Sequence, residues 1–271
     1  MNYIKITITG IEQEAKDVLV ATLSELGYEG FEELPQLLHA FIPENQFDEN
    51  ALKEVLQELS FSKELIKEQN WNAAWEKDFQ PVYVGDFCGI RASFHEPKEG
   101  VAYDIVITPK MSFGTGHHAT TFMMVEWMEE LSFKGKTVLD FGTGTGVLAI
   151  LAEKLGASSV LAIDNDDWSI DNAKENIADN GCHKIALQQA DHLAFEEKFD
   201  ILLANINKNV LLLQMNTLQQ HLTPGGVIIM SGLLAGDRVA IEEEAGQNNL
   251  FISGQKQKNG WISLELKELK P

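Results

Sequence analysis

Beyond residue 119 the chain repeats one pattern, a short run of Val, Ile and Leu followed by a stretch with helical spacing. The apolar runs are KTVLDFG, SVLAIDN, KIALQQAD, FDILLANI and GGVIIMSG. A helix over 119–131 precedes them, and GVLAILAEKLG, WSIDNAKENIADNG and VLLLQMNTLQQHL read as helices between them. Strands this apolar are covered on both faces, and strands separated by helices run parallel because only a crossover can bring the chain back. The ending LFISGQKQKNGWISLELKEL reads instead as two strands joined by a Gly-containing turn. The expectation is a parallel α/β sheet finished by a hairpin.

The first seventy residues obey a different rule. Residues 2–9 alternate apolar and polar as a strand, and 12–26 space Ala15, Val18, Leu19, Leu23 and Leu26 as a helix stopped by Gly27. Extended runs over Phe31–Leu34 and Leu37–Ile42 follow, then a helix over 48–60 capped by Asp48, then a strand over 63–69. The order β-α-β-β-α-β predicts a small ferredoxin-like α+β domain. The domain division expected is 1–69, a helical linker over 70–80 carrying Trp71 and Trp75, and 81–271. Residues 81–107 alternate as strands and suggest a hairpin at the rim of the second domain.

Charge narrows the function. The 271 residues carry 41 acids against 21 Lys and Arg, a net −20, with Arg91 and Arg238 the two arginines. Gripping nucleic acid requires a cationic surface, so direct nucleic-acid binding is not expected. Residues 1–60 hold twelve acids and three bases, a net −9, which reads either as ordinary solvated surface or as a docking face for a basic partner. The start MNYIKITITG lacks a signal-peptide layout and no long apolar run occurs, so a cytoplasmic protein without a membrane span is expected. Cys88 and Cys182 make neither a disulfide framework nor a metal knuckle.

The chemistry concentrates at Asp140-Phe-Gly142-Thr-Gly144-Thr-Gly146, which follows one strand and opens a helix. Glycines at such a turn let backbone approach a ligand. A dinucleotide turn needs its third glycine at 147, where Val147 stands, and no phosphate loop with GK[ST] is present. The next strand ends in Asp164, placed to accept both hydroxyls of a ribose; the alternative is a cap for the following helix. Asp191, after the third strand, reads either as an adenine contact or as plain surface. The run FGTGHHATT over 113–121 offers glycines for a tight loop and Thr120 and Thr121 at a helix start. His117 and His118 are adjacent and lack a carboxylate or thiol cluster, so neither metal binding nor acid–base work is assigned to them. Ala204-Asn205-Ile206-Asn207 follows the fourth strand, where an Asn side chain and a carbonyl can accept from an amine.

An acid followed by G-x-G-x-G, inside a parallel sheet ended by a hairpin, resembles the class I S-adenosylmethionine-dependent methyltransferases, a Rossmann-like fold. Together with Trp71 and Trp75, the loop 113–121, AID at 162–164 and ANI at 204–206, it resembles the methyltransferases of ribosomal protein L-eleven (L11), the PrmA type. The resemblance implies S-adenosylmethionine bound by Thr121, Gly142, Gly144, Asp164 and Asn205. It implies methylation of lysine amines, and an α-amine, of that basic ribosomal protein, recognised by the N-terminal domain. No residue is assigned as a catalytic acid or base. A small-molecule amine methyltransferase and a non-catalytic ribosomal-protein binding module are the alternatives.

Overall fold

The computed structural model describes residues 2–11, 16, 19–20, 22–24, 26–34, 36–57, 59–66, 80–108, 119–193 and 196–269. The chain forms two compact units, Met1–Phe79 and Gln80–Pro271. The expected linker, with Trp71 and Trp75, lies outside the described residues apart from Gln80.

In the first unit, strands β1 (Tyr3–Thr9), β2 (Gly30–Leu34), β3 (Leu37–Pro43) and β4 (Phe61–Ile66) form one sheet in the order β2-β3-β1-β4. All three pairings are antiparallel. Helical residues 16, 19–20 and 22–24 lie between β1 and β2, and helix α1 (Glu49–Leu56) lies between β3 and β4. This is the ferredoxin-like arrangement. The alternation of β1 buries Ile4, Ile6 and Ile8 beside Leu38, Ala40 and Ile42, and Leu19, Leu23, Leu52 and Leu56 close the core above them. Asp48 caps α1 as expected, its carboxylate accepting from the N–H groups of Asn50 (2.8 Å) and Ala51 (3.2 Å).

Two expectations shift here. The helix stops at Leu56 rather than 60, because Gln57 turns left-handed (φ 49°). The strand expected over 63–69 therefore begins earlier, with Phe61 paired to Ile8.

In the second unit, β5 (Val82–Val84) and β6 (Cys88–Ala92) make the expected hairpin, but β7 (Tyr103–Ile107) pairs with β6 in parallel, so these strands form a separate three-stranded sheet. The large sheet contains β8 (Thr137–Phe141), β9 (Ser159–Asp164), β10 (Ile185–Gln189), β11 (Phe199–Asn205), β12 (Leu222–Leu234), β13 (Leu250–Lys258) and β14 (Trp261–Glu268). Its order is β10-β9-β8-β11-β12-β14-β13, parallel through β12, with β14 antiparallel to both its neighbours. The terminal hairpin thus folds back so that its second strand pairs with β12.

Helices α2 (Ala119–Glu130), α3 (Val147–Lys154), α4 (Asp167–Asp179) and α5 (Lys208–Gln220) occupy the expected positions. Helix α6 (Arg238–Gln247) was not legible in the sequence: only Ile241 and Ala245, one turn apart, are buried in RVAIEEEAGQ. Both cysteines are free and buried; burial pushes the Cys88 thiol up to about 12 and the Cys182 thiol to about 11.

Candidate functional site

The strand order reverses between β8 and β11, so the carboxyl ends of β8, β9 and β11 open a crevice of the kind that binds ligands in doubly wound sheets. The residues selected from the sequence cluster there.

After β8 the chain folds into the glycine turn. The N–H groups of Gly142 and Thr143 donate to the Ile163 carbonyl of β9 (2.8 and 2.9 Å), which anchors the turn on the neighbouring strand. Gly142, Gly144 and Gly146 have φ of 78°, 55° and 80°, the left-handed region that an L side chain rarely enters. At Gly142 there is also no room: a Cβ would stand 2.2 Å from Cγ2 of Ile206. Gly144 N–H donates to Asp164 Oδ2 (2.8 Å), and Asp166 N–H donates to Oδ1 (3.1 Å). Asp164 is not the cap of α4. Asp166 fills that role, accepting from the N–H and Oγ of Ser169 at 2.9 and 3.0 Å. Each Asp164 oxygen has a second lone pair for a further donor.

Asp140 lies beneath the turn, 1% exposed. Its Oδ2 accepts from Thr143 Oγ1 (2.6 Å) and Ala149 N–H (3.2 Å), while Oδ1 has no partner. Burial pushes this carboxyl up to about 7, the nearby Asp164 charge adding to the effect.

Across the crevice, Asn205 at the end of β11 donates from Nδ2 to Oγ1 of buried Thr121 in the first turn of α2 (3.2 Å). Asn207, two residues on, caps α5 through Val210 N–H (3.2 Å) and so has a structural role. Ile206 lies between two glycines: besides the Gly142 approach, a Cβ on Gly232 would stand 2.0 Å from the Ile206 carbonyl oxygen. Gly232 (φ 87°) occurs where the β12–β14 register shifts, between Met230 and Leu233. The sequence reading missed it, although a glycine closing the apolar run VIIM was a signal for a bulge or a close backbone approach.

Thr121, Asn205, Gly142, Gly144 and Asp164 therefore line one continuous arc, linked through Ile206. Asp191 is exposed and pairs with the His192 ring, whose hydrogen bond holds the carboxyl below its usual range. The loop 113–118, including His117 and His118, lies outside the described residues. Among the described residues no group of three His, Cys, Asp or Glu could hold a metal ion, and no helix is long and apolar enough to cross a membrane.

Comparison with known proteins gives a consistent result. The family described as Ribosomal protein L11 methyltransferase (PrmA) matches residues 4–269. A protein of that name from Phocaeicola vulgatus is 38% identical, covering 98% of this chain and 99% of its own length. Another from Bacteroides fragilis is 39% identical, covering 93% and 94%. Among solved structures, a ribosomal protein L11 methylase from Lactobacillus delbrueckii subsp. bulgaricus is 34% identical, with a TM-score of 0.66 over 70% of this chain and 99% of that one. A methyltransferase from Pyrococcus furiosus shares the fold at 18% identity and a TM-score of 0.52. With the family match running through both units and across every strand end of the crevice, the chain belongs to the ribosomal protein L11 methyltransferase family, with the class I methyltransferase fold.

Proposed function

We propose that this methyltransferase transfers methyl groups from S-adenosylmethionine to lysine amines, and an α-amine, of ribosomal protein L11. The observation that carries the reading is the bond from Gly144 N–H to Asp164, which sets a ribose-type acceptor directly against a glycine turn. The donor set suits this ligand. The Asp164 carboxylate, held against the turn by the Gly144 N–H, makes a poor environment for a diphosphate and a good one for hydroxyls, an ammonium and a sulfonium. S-adenosylmethionine supplies a methyl group on a positive sulfur, ready for in-line displacement.

The protein's own part is positioning. Asp164 would accept the ribose hydroxyls, while Gly142 and Gly144 let the backbone lie close to the ligand. Thr121 and Asn205 would form the opposite wall. Asn205 and the Ile206 carbonyl would accept from the incoming amine and aim its lone pair. The amine must be neutral, which costs a lysine of pKa near 10.4 about 4 kcal/mol near pH 7.5. Desolvation and the neighbouring sulfonium lower that cost, so no dedicated base is required. The Met1–Phe79 unit would recognise the ribosomal protein, its −9 over residues 1–60 attracting a basic partner. A cytoplasmic location goes with that substrate.

Incubation with methyl-labelled donor and a cell extract tests the reading. Label in one small basic protein, identified as L11, is expected. Label confined to small metabolites, or no label at all, would overturn it.

A further inference from the structure

Helix α4 carries Asn172 and Asn176, and Asn180 is its C-cap; the three stand one every four residues and all turn toward residues 106–108. A helix advances about 6 Å in four residues, and a strand advances nearly as far, about 6.6 Å, in two. Asn180 and Asn176 therefore keep pace with alternate residues, Val106 of β7 and Thr108 just past its end, and Asn172 reaches the same Thr108. Asn180 accepts from Val106 N–H (3.0 Å) and donates to the Val106 carbonyl (2.6 Å). Asn176 accepts from Thr108 N–H (2.7 Å), and Asn172 donates to the Thr108 carbonyl (3.1 Å). Asn172 and Asn176 are fully buried.

The middle rung does something the others do not. Asn176 Nδ2 donates to the carbonyl of Thr145 (2.8 Å), inside the glycine turn between Gly144 and Gly146. Thr145 precedes the Gly146 N-cap of α3, and the Ala149 amide, one of the first-turn amides that lack an intrahelical partner, donates to Asp140 Oδ2. Two side chains thus hold the start of α3, Asp140 taking an amide and Asn176 a carbonyl. The Asn176 bond holds the turn one residue from the Gly144 N–H that reaches Asp164.

We infer that Asn176 is a positioning residue for the methyl-donor site, fixing the glycine turn from helix α4 so that the Gly144 amide and Asp164 keep their donor-binding geometry. This rests on the reading that the turn holds S-adenosylmethionine. Asn180 supplies the control, since it belongs to the same ladder and touches β7 but not the turn. Without Asn176 the Thr108 amide loses this acceptor and the Thr145 carbonyl loses its bond to α4, so the turn is held less firmly.

The test compares Asn176→Ala, Asn180→Ala and wild type by calorimetry with S-adenosylhomocysteine, at a temperature where circular dichroism shows all three folded. Asn176→Ala should weaken binding about tenfold, equivalent to about 1.4 kcal/mol, and should raise donor KM by a similar factor with kcat nearly unchanged. Asn180→Ala should lower the melting temperature yet keep its affinity within about twofold of wild type. Should Asn176→Ala not fold, Asn176→Asp replaces only the donor to Thr145 and keeps the acceptor for Thr108, and the same weakening is expected. Wild-type affinity in a folded Asn176 variant, or equal losses in the Asn176 and Asn180 variants, would overturn the inference. No binding by wild type would instead remove the donor reading on which it rests, and this inference with it.

Discussion

Asn205 Nδ2 donates to Thr121 Oγ1 at 3.2 Å, a contact between residues 84 positions apart that joins the end of β11 to the first turn of α2. Two segments chosen separately from the sequence are thus one wall of the crevice. The bond engages only the Asn205 amide nitrogen, and the carbonyl oxygen of the same side chain is the atom proposed to accept from the amine.

Because the two side chains act as a unit, their loss should be non-additive. Thr121→Val and Asn205→Ala should each weaken binding of S-adenosylhomocysteine, and the double variant should lose less than the sum, with a coupling of about 0.5–3 kcal/mol. Calorimetry on the four proteins measures it. Strict additivity would show that the bond is incidental to donor binding.

The closeness of Gly142 to Ile206 gives a suppressor test. Gly142→Ala places a Cβ against Cγ2 of Ile206 and also forces a left-handed alanine, which costs about 1–2 kcal/mol. Ile206→Ala removes Cγ2. Urea denaturation should show Gly142→Ala partly rescued by Ile206→Ala, by about 1 kcal/mol, within the range for contacting residues. No rescue would mean that backbone strain alone accounts for the glycine.

Asp140 predicts a pH dependence with a definite sign. Its folded pKa is raised to about 7 from an ordinary 3.8, chiefly by burial. The fold therefore favours the neutral acid, and its contribution is full below 3.8 and lost as pH rises through about 7. Asp140→Asn keeps an uncharged acceptor there. The stability of wild type relative to this variant should fall between pH 4 and pH 8 in parallel urea titrations. Identical pH profiles would contradict a buried, elevated carboxyl.

Acidity in the first unit should act on encounter with the substrate protein, a field screened over about 8 Å at physiological salt. Raising salt should lower the second-order rate with L11 more than it alters donor affinity. Glu32, exposed beside His39, and Glu33 together supply two of the twelve acids in residues 1–60. Reversing both to lysine should flatten the salt dependence. Equal slopes would make the acidity a solubility feature.

Much of this molecule was legible in sequence because its strongest signals are local. The glycine turn and Asp164 announce themselves by spacing, and the apolar runs of β8, β9, β11 and β12 could only be covered strands. The missing parts depend on distant neighbours. Helix α6 buries too few apolar groups to show a period. Gly232 matters because of a carbonyl on Ile206, 26 residues earlier. Asn172, Asn176 and Asn180 were not singled out in the sequence, because only Val106 and Thr108, more than sixty residues earlier, make their face an interior one.

The central claim is that this crevice delivers methyl groups to lysine amines of L11. Purified L11, the donor and wild-type enzyme, followed by peptide mapping in a mass spectrometer, test it most directly, with Asp164→Ala in parallel. Methyl groups on L11 lysines with wild type, sharply reduced with Asp164→Ala at the same donor concentration, are the predicted result. Unmodified lysines in L11 under conditions where wild type binds the donor would contradict it.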